Sequence, residues 1–155
     1  MSTLTITEFL EARIAEDEAE ALPFRNELGD TKQWRCDEIG GAVRYVGARP
    51  FGLPDLLAKF EIRAEGAHVA RWDPSRVLAE CAAKRAIMGV HRPHDHGGEH
   101  GDAVFCDECQ WDHGDDSPRI DNQPVEGFGT HPCRTLALLA GVYGSHPDYR
   151  EAWAL

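Results

Sequence analysis

The sequence predicts an α+β fold that is mostly α: three main helices around one core, a short β-hairpin beside them, and a zinc-knuckle loop. Three observations predict it. Apolar residues recur at helical spacing near both ends and in the middle of the chain. Strand-forming residues flank a Gly40-Gly41 pair. Residues 91–133 hold six of the eight histidines, three of the five cysteines and ten acidic residues, too polar a mixture to build a core alone. A polar stretch of that length inside a compact domain needs something to tie it down. The 155 residues are read as a single domain, 1–155, in which 91–133 is an acidic, His/Gly-rich insert ordered by zinc between two helices.

Each element has a local reason. Residues 5–22 place Ile6, Phe9, Leu10, Arg13, Ile14, Ala21 and Leu22 on one helical stripe. Thr5 and Glu8 have the spacing of a capping box, with Thr7 as the alternative cap, and Pro23 is expected to end the helix or to follow its end closely. Residues 33–47 read as the hairpin, with Trp34, Cys36, Val43, Tyr45 and Val46 as strand residues. Residues 55–64 fit a helix better than a strand, and Ala67–Ala70 a short helical turn. From Asp73 the signature is clearest: Asp73 as N-cap, Pro74 in the first turn, then Val77, Leu78, Cys81, Ala82 and Met88 as an apolar stripe, closing at Gly89. Cys36 and Cys81 read as small core residues. A last helix follows Pro132, with Cys133 in its first turn and a short turn after it.

Charge and cysteine usage narrow the function. The net charge is −11. It is unevenly spread: residues 1–30 carry two basic and eight acidic groups, 31–90 ten and seven, 91–133 two and ten. Such a chain repels free nucleic acid, and Arg63, Arg71, Arg76, Lys84 and Arg85 read as a solvated helix face. The expected partner is a protein with a basic surface. No apolar run approaches the ~18–20 residues that span a bilayer, and no signal peptide is recognisable. Five cysteines without a secretion signal point to a reducing, cytoplasmic setting and to metal chemistry, not to a disulfide framework.

The sharpest motif is Cys106-Asp107-Glu108-Cys109. A C-x-x-C knuckle lets two thiolates reach one tetrahedral ion. Cys133, at the start of a helix, is the best third donor, and His91, just past the end of another, the best fourth; His94, His96, His113 and His131 compete for that place. Three cysteines and one histidine close the shell of one Zn2+ per chain and leave no position for substrate, which marks a structural site. The alternative is a metal-dependent hydrolase using His94, His96 and His100. The full histidine–aspartate hydrolase signature, H-E-x-x-H, the nucleophile elbow, the P-loop and the zinc-deaminase pattern are all absent. The reading therefore leans to a non-enzymatic binding protein.

The segments R-W-D-P-S-R-V-L-A-E-C-A-A-K-R-A-I, His91, the C-x-x-C pair, P-C-R-T-L-A-L-L-A and H-P-D-Y-R-E-A-W, with F-L-E-A-R-I-A-E-D-E near the start, resemble an uncharacterised family of small proteins from actinobacteria and their phages. The resemblance covers most of the chain; residues 25–65 match least. It implies that the segments around His91, Cys106, Cys109 and Cys133 form one recurring unit. It also implies a phage-linked setting, in which small acidic proteins modulate host proteins. It lends no catalytic residues.

Overall fold

The computed structural model describes residues 4–27, 33–46, 55–95, 104–109, 119–120, 123–124 and 131–155. They form an α+β fold, mostly helical. In chain order the elements among the described residues are α1 (Ile6–Glu27), β1 (Trp34–Cys36), β2 (Ala42–Tyr45), β3 (Leu56–Lys59), α2 (Arg63–Arg71), α3 (Pro74–Val90), β4 (Pro93–Asp95), β5 (Val104–Cys106), β6 (Arg119–Ile120), β7 (Gln123–Pro124), α4 (Arg134–Gly141) and a 3-10 turn, Glu151–Trp153. The chain divides into two compact units, Met1–Arg13 with Lys84–Leu155, and Ile14–Ala83.

In the first unit the start of α1 is fixed by its own residues. The Thr5 amide donates to Glu8 Oε2 at 2.8 Å, and the Glu8 amide donates to Thr5 Oγ1 at 3.2 Å. This is the reciprocal capping box that the spacing predicts. The Thr5 amide also holds the Glu8 carboxyl below its ordinary pKa. Ile6, Phe9 and Leu10 are buried, as the stripe requires. Phe9 is ringed by aromatic side chains from the C-terminal segment. Trp153 lies 5.0 Å away between centroids, and His146, Tyr149 and Tyr143 lie at 5.9, 6.0 and 6.3 Å. Contacts at these separations are the favourable range for ring pairs. Arg13 is buried on the same stripe, with its guanidinium 5.5 Å from the Phe9 centroid. Its Nη1 touches both ring nitrogens of His146 and lies 3.5 Å from Asp148 Oδ2, which supplies a counter-charge. Lys84 Nζ donates to Tyr143 Oη at 2.7 Å, tying α3 to the turn after α4.

The second unit holds a three-stranded antiparallel sheet in the order β1-β2-β3. The hairpin of β1 and β2 stands where the sequence predicts it, with Trp34 opposite Tyr45 and Cys36 opposite Val43. Gly40 and Gly41 turn the chain at φ +90° and +65°, a region that side chains disfavour. The α2 helix approaches this turn closely. A Cβ at Gly66 would stand 2.6 Å from the Gly41 carbonyl oxygen and 3.2 Å from Cys36 Sγ. Asp73 caps α3 as expected: Oδ1 accepts from the Arg76 amide at 2.9 Å, while Oδ2 accepts from the Trp34 amide at 3.3 Å. Cys81 is buried and Cys36 half-buried. Of the remaining α3 stripe, Met88 is buried, Val77 and Leu78 are half-buried and Ala82 is exposed.

Two expectations are corrected. The helix expected over 55–64 is strand β3 followed by the start of α2 at Arg63. Leu56–Lys59 completes the sheet beside β2, with Ala42 opposite Lys59 and Val43 opposite Ala58, and Arg44 donates to Asp55 at 2.8 Å at its entry. Pairing along an open strand edge overrides the helical preference of Leu, Ala and Lys. Pro23 does not end α1, which continues to Glu27. The carbonyl that Pro23 cannot bond is that of Ala19, an exposed residue, so the lost hydrogen bond falls on the solvent-facing side of the helix. Leu22 is correspondingly exposed.

Two glycines provide a test of this packing. Gly66→Ala should destabilise the protein by about 1–3 kcal/mol, because the added methyl meets backbone. Gly89→Ala, in α3 with nothing within 4 Å of the new methyl, should stabilise it by about 0.5–1 kcal/mol. Chemical denaturation of the two variants beside the parent protein measures both.

Candidate metal centre

Three segments of the first unit deliver the four donors: the end of α3, β5 with the turn after it, and the start of α4. The His91 amide donates to the Ile87 carbonyl at 3.1 Å, so His91 closes the last turn of α3. Strand β4 begins two residues later and pairs with β5, setting Pro93 opposite Cys106. The Asp107 amide donates to the Arg92 carbonyl at 2.9 Å and extends this ladder past the cysteine. The chain then turns over 107–109 and presents Cys109. The Cys109 amide donates to Cys106 Sγ, as expected of a knuckle that supports two thiolates. Cys133 is the N-cap residue of α4, its carbonyl accepting from the Ala137 amide at 3.1 Å.

The four ligand atoms all lie within 4.8 Å of one another. His91 Nδ1 stands 3.3 Å from Cys106 Sγ and 3.5 Å from both Cys109 Sγ and Cys133 Sγ. One ring nitrogen has one lone pair or one proton, so it cannot serve three sulfurs by hydrogen bonding. Near-equal distances to three sulfurs describe the apex of a tetrahedron. With metal–sulfur and metal–nitrogen bonds of about 2.3 and 2.0 Å, nitrogen and sulfur donors on one ion lie about 3.5 Å apart. The donor set therefore fits a tetrahedral metal ion and could hold one.

Burial sharpens the point. Cys106 and Cys133 are buried, while Cys109 and His91 are part-buried. Without an ion, burial and the neighbouring sulfurs oppose a negative charge. Burial pushes the Cys109 thiol up to about 12, with the Cys106 and Cys133 sulfurs adding to the effect. Burial likewise raises the Cys106 thiol, and the amide of Cys109 partly offsets it.

The sequence names these four residues, and the structure brings all four together. The competing histidines fare differently. His131 is not in the cluster; burial lowers its pKa, and its Nε2 is buried without a hydrogen-bond partner. His94 lies in β4, while His96, His100 and His113 fall outside the described residues, so the His94/His96/His100 site does too. Cys36 and Cys81 are not in the cluster. Cys36 Sγ faces the carbonyls of Asp37 and Arg63 at 3.5 and 3.8 Å. The β4–β5 pair is the one part of the site that the sequence reading lacks. Val104-Phe105-Cys106 carries a faint strand signal, too short to stand out from a loop.

Residues 3–155 match a Family of unknown function (DUF6221), and the chain belongs to that family. No curated protein and no solved structure matches it.

In the metal-free chain, Cys109 should ionise near pH 12 and Cys106 above the ordinary thiol value of 9.0. Both pKa values are raised by folding. Stability carried by the protonated thiols is thus full below pH 9 and lost as pH rises toward 12. Thiolate absorbance against pH, in chelator and reductant, should show this late ionisation in the parent chain and its loss in Cys109→Ser.

Proposed function

We propose that this member of the family is a non-enzymatic binding protein in which one structural Zn2+ ion is held by His91, Cys106, Cys109 and Cys133. The observation that carries the reading is a single imidazole nitrogen at 3.3–3.5 Å from three sulfurs. Thiolate and imidazole donors in tetrahedral array select zinc over calcium, magnesium or manganese, which prefer oxygen donors. Four protein donors fill the shell, so no position stays open for substrate or an activated water. Zinc at this site would act as a staple, joining α3, the β4–β5 pair and α4.

The same reading extends to the partner. Glu8, Glu11, Glu16 and Glu20 on α1 are exposed, and residues 91–133 add a further acidic excess. Such charge favours encounter with a basic protein surface. The resemblance to proteins of actinobacteria and their phages supports a modulator of a host protein. A reducing cytoplasm suits a site of three free thiols, and no helix among the described residues is long and apolar enough to cross a membrane.

Native mass spectrometry of untagged protein purified without added metal tests the site. The expected result is one zinc per chain, absent from Cys109→Ser. Lowering the pH should release the ion, because protons compete for the thiolates. A chain that carries no metal would overturn the proposal. Two metals per chain would favour the hydrolase alternative.

A further inference from the structure

We infer that the proposed zinc site is oxidant-sensitive, with Cys109 as the thiolate that meets a peroxide and Cys106 as the one that resolves it. The inference rests on the zinc reading above and adds a regulation to it.

Three observations carry it. The sulfurs are unequally covered: Cys106 and Cys133 are 0% and 2% exposed, whereas Cys109 is only part-buried. A small neutral oxidant therefore reaches Cys109 first. The sulfurs are also close, every pair within 4.8 Å. Reaching a disulfide bond of about 2.05 Å is a matter of side-chain rotation within one turn. Finally, Cys106 and Cys109 belong to one short segment, β5 and its turn, so joining them leaves α4 in place. Cys36 and Cys81 lie outside the cluster.

The chemistry balances with hydrogen peroxide as the oxidant. The Cys109 thiolate attacks the O–O bond; an S–O bond forms, the O–O bond breaks and hydroxide leaves, giving a sulfenic acid. The Cys106 thiolate then attacks the Cys109 sulfur; an S–S bond forms, the S–O bond breaks and a second hydroxide leaves. Two thiolates lose two electrons in total and the peroxide gains them. Two of the four donors are then gone, and His91 with Cys133 alone cannot retain the ion. The polar 91–133 segment loses its staple. A thiol reductant and fresh zinc restore the starting state.

The test treats zinc-loaded full-length protein with hydrogen peroxide in the presence of a chromogenic zinc chelator, followed by peptide mapping. The expected result is one zinc released per chain, in step with a Cys106–Cys109 disulfide and reversed by reductant. Cys36→Ser with Cys81→Ser should release zinc as the parent does. Cys109→His, which keeps a donor but removes the exposed thiol, should release it at least tenfold more slowly. Zinc-loaded parent protein that keeps its ion and forms no disulfide would overturn the inference and leave the structural zinc standing. A Cys109–Cys133 linkage would overturn the assignment of Cys106. A chain purified without zinc would overturn both.

Discussion

The structure turns on the cost of gathering three thiols and an imidazole into one small volume. Burial opposes ionisation of the Cys106 and Cys109 thiols, and the Cys133 sulfur adds to the cost for both. A divalent cation reverses the sign of that energy. It replaces mutual repulsion with four bonds and requires the ionised state that burial resists. The magnitudes are unequal. Zinc binding to structural sites of this class contributes about 10–16 kcal/mol, while a whole domain is stable by about 5–15 kcal/mol. With the proposed ion in place, its contribution would match the net stability of an entire domain.

On the proposed reading, a contribution of that scale would anchor a segment that carries ten acidic residues. Few apolar side chains are available between His91 and Cys133, and the described strands there are two or three residues long. Strands so short gain little from pairing. Their ladder matters for placement: it holds Cys106 opposite Pro93, two residues from His91. The helices supply the other two coordinates, α3 through its last turn and α4 through its N-cap residue. The packing around Phe9 is a separate matter. It orders the C-terminal turn by burying aromatic rings, and it needs no ion.

What the sequence discloses follows from the range of each interaction. The capping box at Thr5 and Glu8, the Asp73 cap and the glycine turn at 40–41 are set by residues within three or four positions, so they can be read directly. The four donors are legible for a related reason: chemistry restricts them to cysteine and histidine, and spacing leaves few choices. Strand β3 is different. Leu56–Lys59 is helical by composition and becomes a strand because the edge of β2 is open beside it, a fact held elsewhere in the chain. Pro23 fails as a stop signal because its cost falls on the carbonyl of exposed Ala19. The close approach of Gly66 to Gly41 is likewise invisible until α2 is placed against the hairpin.

The coverage of the sulfurs would link the proposed structural role to its proposed control. A closed donor set excludes substrate because all four positions around the proposed ion are taken. It does not exclude an oxidant, which attacks a donor and needs no coordination position. Had all three cysteines been as buried as Cys106, the site would be inert as well as closed. Had all three been exposed, protons and competing ligands would reach the donors freely. One part-buried cysteine beside two buried ones lies between these limits. The buried pair would be shielded from solvent, and the third sulfur would be the point at which an oxidant enters. A zinc staple built this way would hold under reducing conditions and keep a chemical route by which it can be opened.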